Sequence, residues 1–250
     1  VGSNLVSGGL TPWEQIKPDW FPMESDTPAP YAWYDMENRN SSTGISGQNP
    51  QDRSGNDRHM QDGVQITRTT CSGQSLNGTH DCFTFNNGSS KIQLIDGWPG
   101  VTQMSWIHLT SYLSSGGSNG RIWDCNNVSP NVNWFIGHHT GMTGICYYGN
   151  WLTQSDKAGN VFIINYGTFT SSSIYNYYYK KKSGANNIYT QSDGGNGDWP
   201  ASDTGICINN GPYGEQSDGK CIFIGTWSEV LSIAQRDAVV DAAVANYLTD

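Results

Sequence analysis

The segment Asp193-Gly-Gly-Asn196-Gly-Asp198, with Asp203 beyond it, gathers oxygen donors at short spacing. Its glycines permit a tight turn that aims carboxylates and carbonyls inward, the ligand set of a hard cation such as Ca2+. The spacing is not that of an EF-hand, and Asp, Asn and Gly also build ordinary turns, so these four residues are a candidate calcium site. His138 and His139 are adjacent on a predicted strand, so their side chains leave opposite faces and do not converge on one zinc ion. Gly116-Gly-Ser118-Asn-Gly120 matches G-x-S-x-G. A nucleophile elbow needs a strand before it and a helix after it, whereas here a predicted strand follows, and the tract reads as a glycine-rich hairpin loop. Sugar recognition is better supplied. Sugars stack apolar faces on exposed aromatic rings while Asn and Asp read hydroxyls, and Trp199, Trp151 and Tyr177 are the candidate glycan contacts. Trp123 and Trp134 are assigned to the core.

The elements that must position these residues are short strands. Residues 121–153 read as a meander: aromatic and β-branched runs at 122–125, 133–139, 144–148 and 150–153 alternate with turn sequences. Further strands are expected at 31–35, 92–95, 104–109, 160–166, 173–181, 187–190, 207–208 and 220–227, with 36–63 a polar loop region. The nearly continuous apolar run at 160–166 suits a central strand covered on both faces, and 187–190 is expected to pair with 173–181. One helix is expected at about 233–248. Ser232 followed by Gln235 is a capping box, and Val240, Val244, Tyr247 and Leu248 form one apolar face. Gln-Ser-Asp recurs at 154–156, 191–193 and 216–218 as a turn sequence, not as a repeat unit.

A chain of 250 residues with 14% charged and 12% aromatic residues and 30 glycines can fill one all-β domain and is not disordered. Its net charge of −9 lacks the basic stripe that nucleic acid requires; the run Lys180–Lys182 reads as a solvated strand end. No apolar run approaches the ~20 residues of a membrane helix. None of the six cysteines lies in a C-x-x-C pair, so disulfides and an oxidising compartment are expected. Sequential pairing, Cys71–Cys82, Cys125–Cys146 and Cys207–Cys221, is the expectation among fifteen connectivities. N-glycosylation acceptors at Asn40, Asn77, Asn87 and Asn127 agree with secretion, and Pro130 weakens the last. No charged-then-apolar signal opens the chain, so Val1 is expected to be a mature N-terminus.

Residues 1–28 form an arm whose four prolines forbid a long helix. It is too apolar to be left in water. Trp13, Trp20 and Phe21 are the candidate assembly contacts: an extended arm suits addition to the strand edge of an adjacent copy, with docking on its own domain as the alternative.

Four stretches carry a family resemblance: Asp52-Arg-Ser-Gly-Asn-Asp-Arg-His59; Trp106-Ile-His-Leu109 leading to Gly120-Arg-Ile-Trp-Asp124; Asn133-Trp-Phe-Ile-Gly-His-His139 followed by Tyr147–Thr153; and the final strand with its Ser-capped helix. In order and spacing, residues 30–249 resemble the laminin-G-like, concanavalin A-like jelly-roll superfamily, although Pro50 stands where that family has a tryptophan. The resemblance implies an all-β antiparallel two-sheet jelly-roll sandwich with one C-terminal α-helix, as domain 29–250 behind the arm 1–28. The fold does not fix the function. The glycanase branch of this fold resembles E-x-D-x-x-E, and none of the five glutamates forms that spacing. The expectation is a non-catalytic, secreted surface glycoprotein that assembles with copies of itself or other surface proteins. The alternative is a lectin-like glycan-binding domain assisted by Ca2+, and a polysaccharide-processing enzyme acting through Tyr and His comes third.

Overall fold

The structure, a computed structural model, describes residues 13, 17–35, 52–56, 58, 61–64, 67–85, 91–94, 103–112, 121–125, 134–139, 142–148, 150–152, 161–170, 173–179, 181–183, 187–192, 206–208 and 218–250. Among them run strands β1 (Ala32–Asp35), β2 (Gln61–Val64), β3 (Thr67–Ser72), β4 (Thr79–Phe85), β5 (Lys91–Leu94), β6 (Met104–Tyr112), β7 (Arg121–Cys125) and β8 (Trp134–His139). These are followed by β9 (Met142–Tyr148), β10 (Asn150–Leu152), β11 (Ile163–Phe169), β12 (Ser173–Tyr179), β13 (Asn187–Ser192), β14 (Ile206–Ile208) and β15 (Gly219–Trp227). Helix α1 (Ile233–Tyr247) closes the chain. The fold is all-β and antiparallel, with one C-terminal helix. Strand β2 begins inside the region expected to be loop; its Gln61-Asp-Gly sequence has no apolar alternation to announce it.

The first sheet is open and eight-stranded, in the order β13-β12-β11-β6-β15-β4-β3, with β1 also on β15. Strands β4 and β1 share one edge of β15: Gly219–Cys221 pair with β4 and Phe223–Thr226 with β1, on either side of an irregularity in register between Cys221 and Phe223. The second sheet runs β10-β9-β8-β7-β14-β5-β2. The expected meander is therefore present as β7 to β10, and β13 pairs with β12 as expected. The second sheet reaches the first where β9 lies against β11 and β12.

Three aromatic rings of the first sheet lie over the glycine directly opposite on a neighbouring strand: Trp33 over Gly225, Trp106 over Gly167 and Phe85 over Gly219. A Cβ on any of these glycines would land inside the ring, so each pair places a broad side chain where its neighbour offers none.

Helix α1 begins at Ser232, whose hydroxyl accepts from the Gln235 amide while the Gln235 side chain accepts from the Ser232 amide. It buries Val239, Val240, Ala243, Val244 and Tyr247 against one face of the sheet, where each large apolar side chain is worth ~1.5–3 kcal/mol. The Cys71–Cys82 bridge forms and closes the β3–β4 hairpin. Its loop grips the C-terminus through Asn77 N–H to Tyr247 O and Thr249 N–H to Ser75 O, both within 2.9 Å.

Two sequence expectations are corrected. Cys221 is a buried free thiol in β15 of the first sheet, whereas Cys207 lies in β14 of the second, so the Cys207–Cys221 bridge is not made. Sequential pairing assumes that neighbours in sequence share a hairpin, and these two do not. The side chains of Cys125 and Cys146 lie outside the described residues; β8 runs between their strands. The arm, as far as it is described, packs on its own chain, the alternative to docking on an adjacent copy. Trp13 and Phe21 are buried in the main core with Trp33, Phe223 and Trp227, and Trp20 packs against it. Trp20 Nε1 donates to Tyr247 Oη at 3.0 Å and Thr27 Oγ1 to Gln235 O at 2.9 Å, so the arm fastens both ends of the helix.

Candidate functional site

The tract after β1 is a clamp built on one carboxylate. Asp52 Oδ1 accepts from the amides of Trp33 and Ser54, both at 2.9 Å, and Oδ2 from Ser54 Oγ at 2.8 Å and the Arg58 amide at 3.0 Å. A buried carboxylate needs such donors, and short Asp and Ser side chains reach backbone amides two residues on. Gly55 then takes a left-handed turn at φ 88°, which returns the chain so that Asn56 Nδ2 donates to Tyr31 O at 3.0 Å. Arg58 stacks its guanidinium 3.8 Å from the Tyr31 ring centroid, and its carbonyl accepts from Tyr34 Oη at 2.7 Å. Burial pushes the Tyr34 phenol well above its ordinary range; Asp52 adds to this and Arg58 opposes it.

Beside this clamp lies a pocket of about 410 Å³, within the size range of small-molecule sites. Three segments far apart in sequence build it. The arm brings Trp13 and Glu24, the 54–56 tract brings Asn56, and the end of β15 brings Trp227 and Glu229, with Tyr31 between them. Trp13 and Trp227 are buried; Asn56 and Glu229 are exposed. Among the five tryptophans whose side chains are described, four donate: Trp20 to Tyr247 Oη, Trp33 to Asp35 Oδ2, Trp106 to Asn165 Oδ1 and Trp227 to Pro28 O. Trp13 Nε1–H is buried and makes no hydrogen bond. A buried donor left without an acceptor costs ~1–3 kcal/mol.

A second polar group lies on the sheet face opposite the helix. Tyr178, Asn165, His108, Ile224 and Tyr34 stand side by side across β12, β11, β6, β15 and β1, and Asn176, Trp106 and Thr226 are in the next row. His108 Nδ1 pairs with Thr110 Oγ1 at 3.0 Å. These polar side chains are shut off from water.

Of the residues first singled out for sugar or metal, Tyr177 alone has a described side chain. Tyr177 is corrected: it is 4% exposed, with Tyr166, Tyr175 and Tyr179 around it and Arg236 5.7 Å above its ring, so it offers no face to a sugar. Burial raises the phenols of Tyr166 and Tyr177 above their ordinary range, against the opposing pull of Arg236. Trp151 lies on β10 with its side chain outside the described residues, as do Asp193, Asn196, Asp198, Trp199 and Asp203 altogether. Among the described residues no group of three His, Cys, Asp or Glu could hold a metal ion, and no helix is long and apolar enough to cross a membrane. Asn77 is exposed at the hairpin tip, while Asn40, Asn87 and Asn127 lie outside the described residues. The pocket itself went unrecognised in the sequence. The available signal was the pairing of an arm too aromatic for water with Trp227-Ser-Glu229 at the end of the last strand.

No family model matches the chain, and no curated protein matches it in sequence. Solved structures share its fold. Domain 4 of AbnA, a GH43 extracellular arabinanase from Geobacillus stearothermophilus in complex with arabinotriose, superposes with a TM-score of 0.54 at 13% identity, over 83% of this chain and 97% of that one. A GH54 α-L-arabinofuranosidase soaked with a cyclic sulfate inhibitor gives 0.53 at 11% identity, over 81% of this chain. Trypanosoma rangeli sialidase in complex with sialic acid gives 0.53 at 8% identity, over 90% of this chain and 34% of that one. The chain spans about half the length of the arabinofuranosidase. At these identities the likeness is one of fold. It corrects the expectation of a non-catalytic chain, which rested on the absence of an E-x-D-x-x-E spacing, a nucleophile triad and a metal-hydrolase motif, because solved structures sharing the fold include glycoside hydrolases.

Proposed function

We propose that the chain is a carbohydrate-recognising domain for neutral oligosaccharides, built on a concanavalin A-like two-sheet jelly roll. The observation that carries this reading is the arabinanase domain with arabinotriose, which is matched over nearly its whole length, so the likeness covers one complete domain. Extracellular location belongs to the same proposal, supported by the Cys71–Cys82 disulfide and by a glycosylation acceptor, Asn77, exposed at a hairpin tip.

The test is calorimetric titration of the whole chain with arabinotriose and a panel of neutral oligosaccharides. Saturable binding between about 1 μM and 1 mM is expected, and no binding to any member overturns the reading. A second reading, a glycoside hydrolase, is favoured by the arabinofuranosidase and sialidase matches. It predicts release of 4-nitrophenol from 4-nitrophenyl α-L-arabinofuranoside, a compound soaked into one of the arabinofuranosidase structures.

A further inference from the structure

We infer that Asn77, at the tip of the β3–β4 hairpin, is a site of spontaneous covalent modification: the backbone nitrogen of Gly78 attacks its side-chain amide, and the isoaspartate that results unfastens the hairpin from the C-terminal segment. Three observations carry it. Asn77 and Gly78 are both exposed, and the Asn77 side chain makes no hydrogen bond among the described residues. The Gly78 N–H makes none there either, and no atom lies within 4 Å of where a Cβ on Gly78 would stand, so the space for a closing ring is open. His80 Nε2 lies 2.8 Å from Asn77 O. A carbonyl oxygen only accepts, so Nε2 carries the proton. This bond polarises the peptide group to which the Gly78 N–H belongs and eases the deprotonation that the attack requires.

The Gly78 nitrogen loses its proton to solvent and bonds to Asn77 Cγ. The Cγ–Nδ2 bond breaks, and Nδ2 leaves as ammonia with a proton from solvent. Water then opens the cyclic imide. Opening at Cγ gives aspartate on an unchanged main chain; opening at the main-chain carbonyl carbon gives isoaspartate, whose main chain is longer by one methylene. That methylene falls where the hairpin holds the C-terminal segment. Asn77 N–H donates to Tyr247 O at 2.7 Å, Leu76 bridges to Leu248, and Ser75 O accepts from the Thr249 amide at 2.9 Å. The lengthened chain cannot keep both the Tyr247 and the His80 bonds of residue 77. A glycan on Asn77 occupies the leaving nitrogen, so the site acts in a chain not glycosylated there.

The test uses the whole chain, made in a bacterial host so that no glycan is attached, with the Cys71–Cys82 bridge intact. It is held in warm, mildly alkaline buffer and sampled by peptide mapping. Conversion of Asn77 to aspartate and isoaspartate is expected, with none at that position in Asn77→Gln and slower conversion in His80→Phe. If Asn77 keeps its amide through a hold in which the urea-unfolded chain converts, the site is overturned. Equal or faster conversion in a folded His80→Phe overturns the part given to His80. The isoaspartate form, resolved by chromatography, is expected to melt about 4 °C below the unconverted chain, with the Thr249 amide losing exchange protection. Asn77→Asp, which adds the charge without the methylene, is expected to melt with wild type. If isoaspartate and Asn77→Asp melt alike, the unfastening is overturned.

Discussion

On one face of the first sheet, Trp33, Ile107, Leu109, Ile164, Tyr166 and Phe223 lie beneath the helix and the arm in a core of apolar and aromatic contacts. On the other face, one residue along in each strand, stand His108, Thr110, Asn165, Asn176 and Thr226, equally dry. The first face is held by packing, in which a neighbour of similar size can substitute at modest cost. The second is held by partnerships, because a buried polar atom that loses its partner keeps its desolvation penalty. The two faces should therefore fail differently: the aromatic face through lost space, the polar face through lost partners.

The largest effect is expected where the aromatic face is tightest. Gly225 sits directly under the Trp33 ring, which also contacts Trp13 and Phe21 of the arm and stacks on Phe223 at 5.2 Å. Gly225→Val forces the ring outward and loosens the arm with it, so a loss of about 3 kcal/mol in urea unfolding is expected. A loss below about 1 kcal/mol means the ring has somewhere to go and the close fit is not what holds this face.

On the polar face, Asn165→Ala removes the acceptor of Trp106 Nε1, a bond of 3.0 Å. The expected cost is about 1–3 kcal/mol, and it should shrink in a Trp106→Phe background, where no donor is left to satisfy. Equal costs in the two backgrounds would show that only volume matters there and would erase the contrast between the faces.

Much of the aromatic face was legible in the sequence. The apolar run around Ile163 and Ile164 announced a strand covered on both sides, and the Ser232–Gln235 pair announced the helix to within a residue. Those signals are local. What covers the aromatic face was not legible: the arm's tryptophans are as compatible with a neighbouring copy as with their own chain, and only tertiary contact decides. The polar face was hidden because a row such as Tyr178, Asn165 and His108 forms across three strands, with one residue from each. The pocket shares that character, being made from three segments far apart in the sequence. The Cys207–Cys221 pairing failed for the same reason, since sequence proximity says nothing about which sheet a strand joins.

The smallest effect concerns the lid of the aromatic face. The Ser232 hydroxyl accepts the Gln235 amide at 3.3 Å, and Gln235 Oε1 accepts the Ser232 amide at 2.9 Å. One residue earlier, the Leu231 amide donates to Ser105 Oγ of β6, so the cap also fixes where the helix starts over the sheet. Ser232→Ala removes one of the two reciprocal bonds and leaves that anchor in place, and about 1 kcal/mol is expected. The Gln235 carbonyl also receives Thr27 Oγ1 of the arm, so fraying at the cap should loosen the arm before it loosens the sheet. Hydrogen exchange can separate the two. Amides at Phe21 and Thr27, which bond to Pro18 O and Met23 O, should lose protection in Ser232→Ala, while those of β6 and β11 keep theirs. If arm and strands lose protection together, the aromatic face is one cooperative unit with its lid, and the arm is no more removable than a strand.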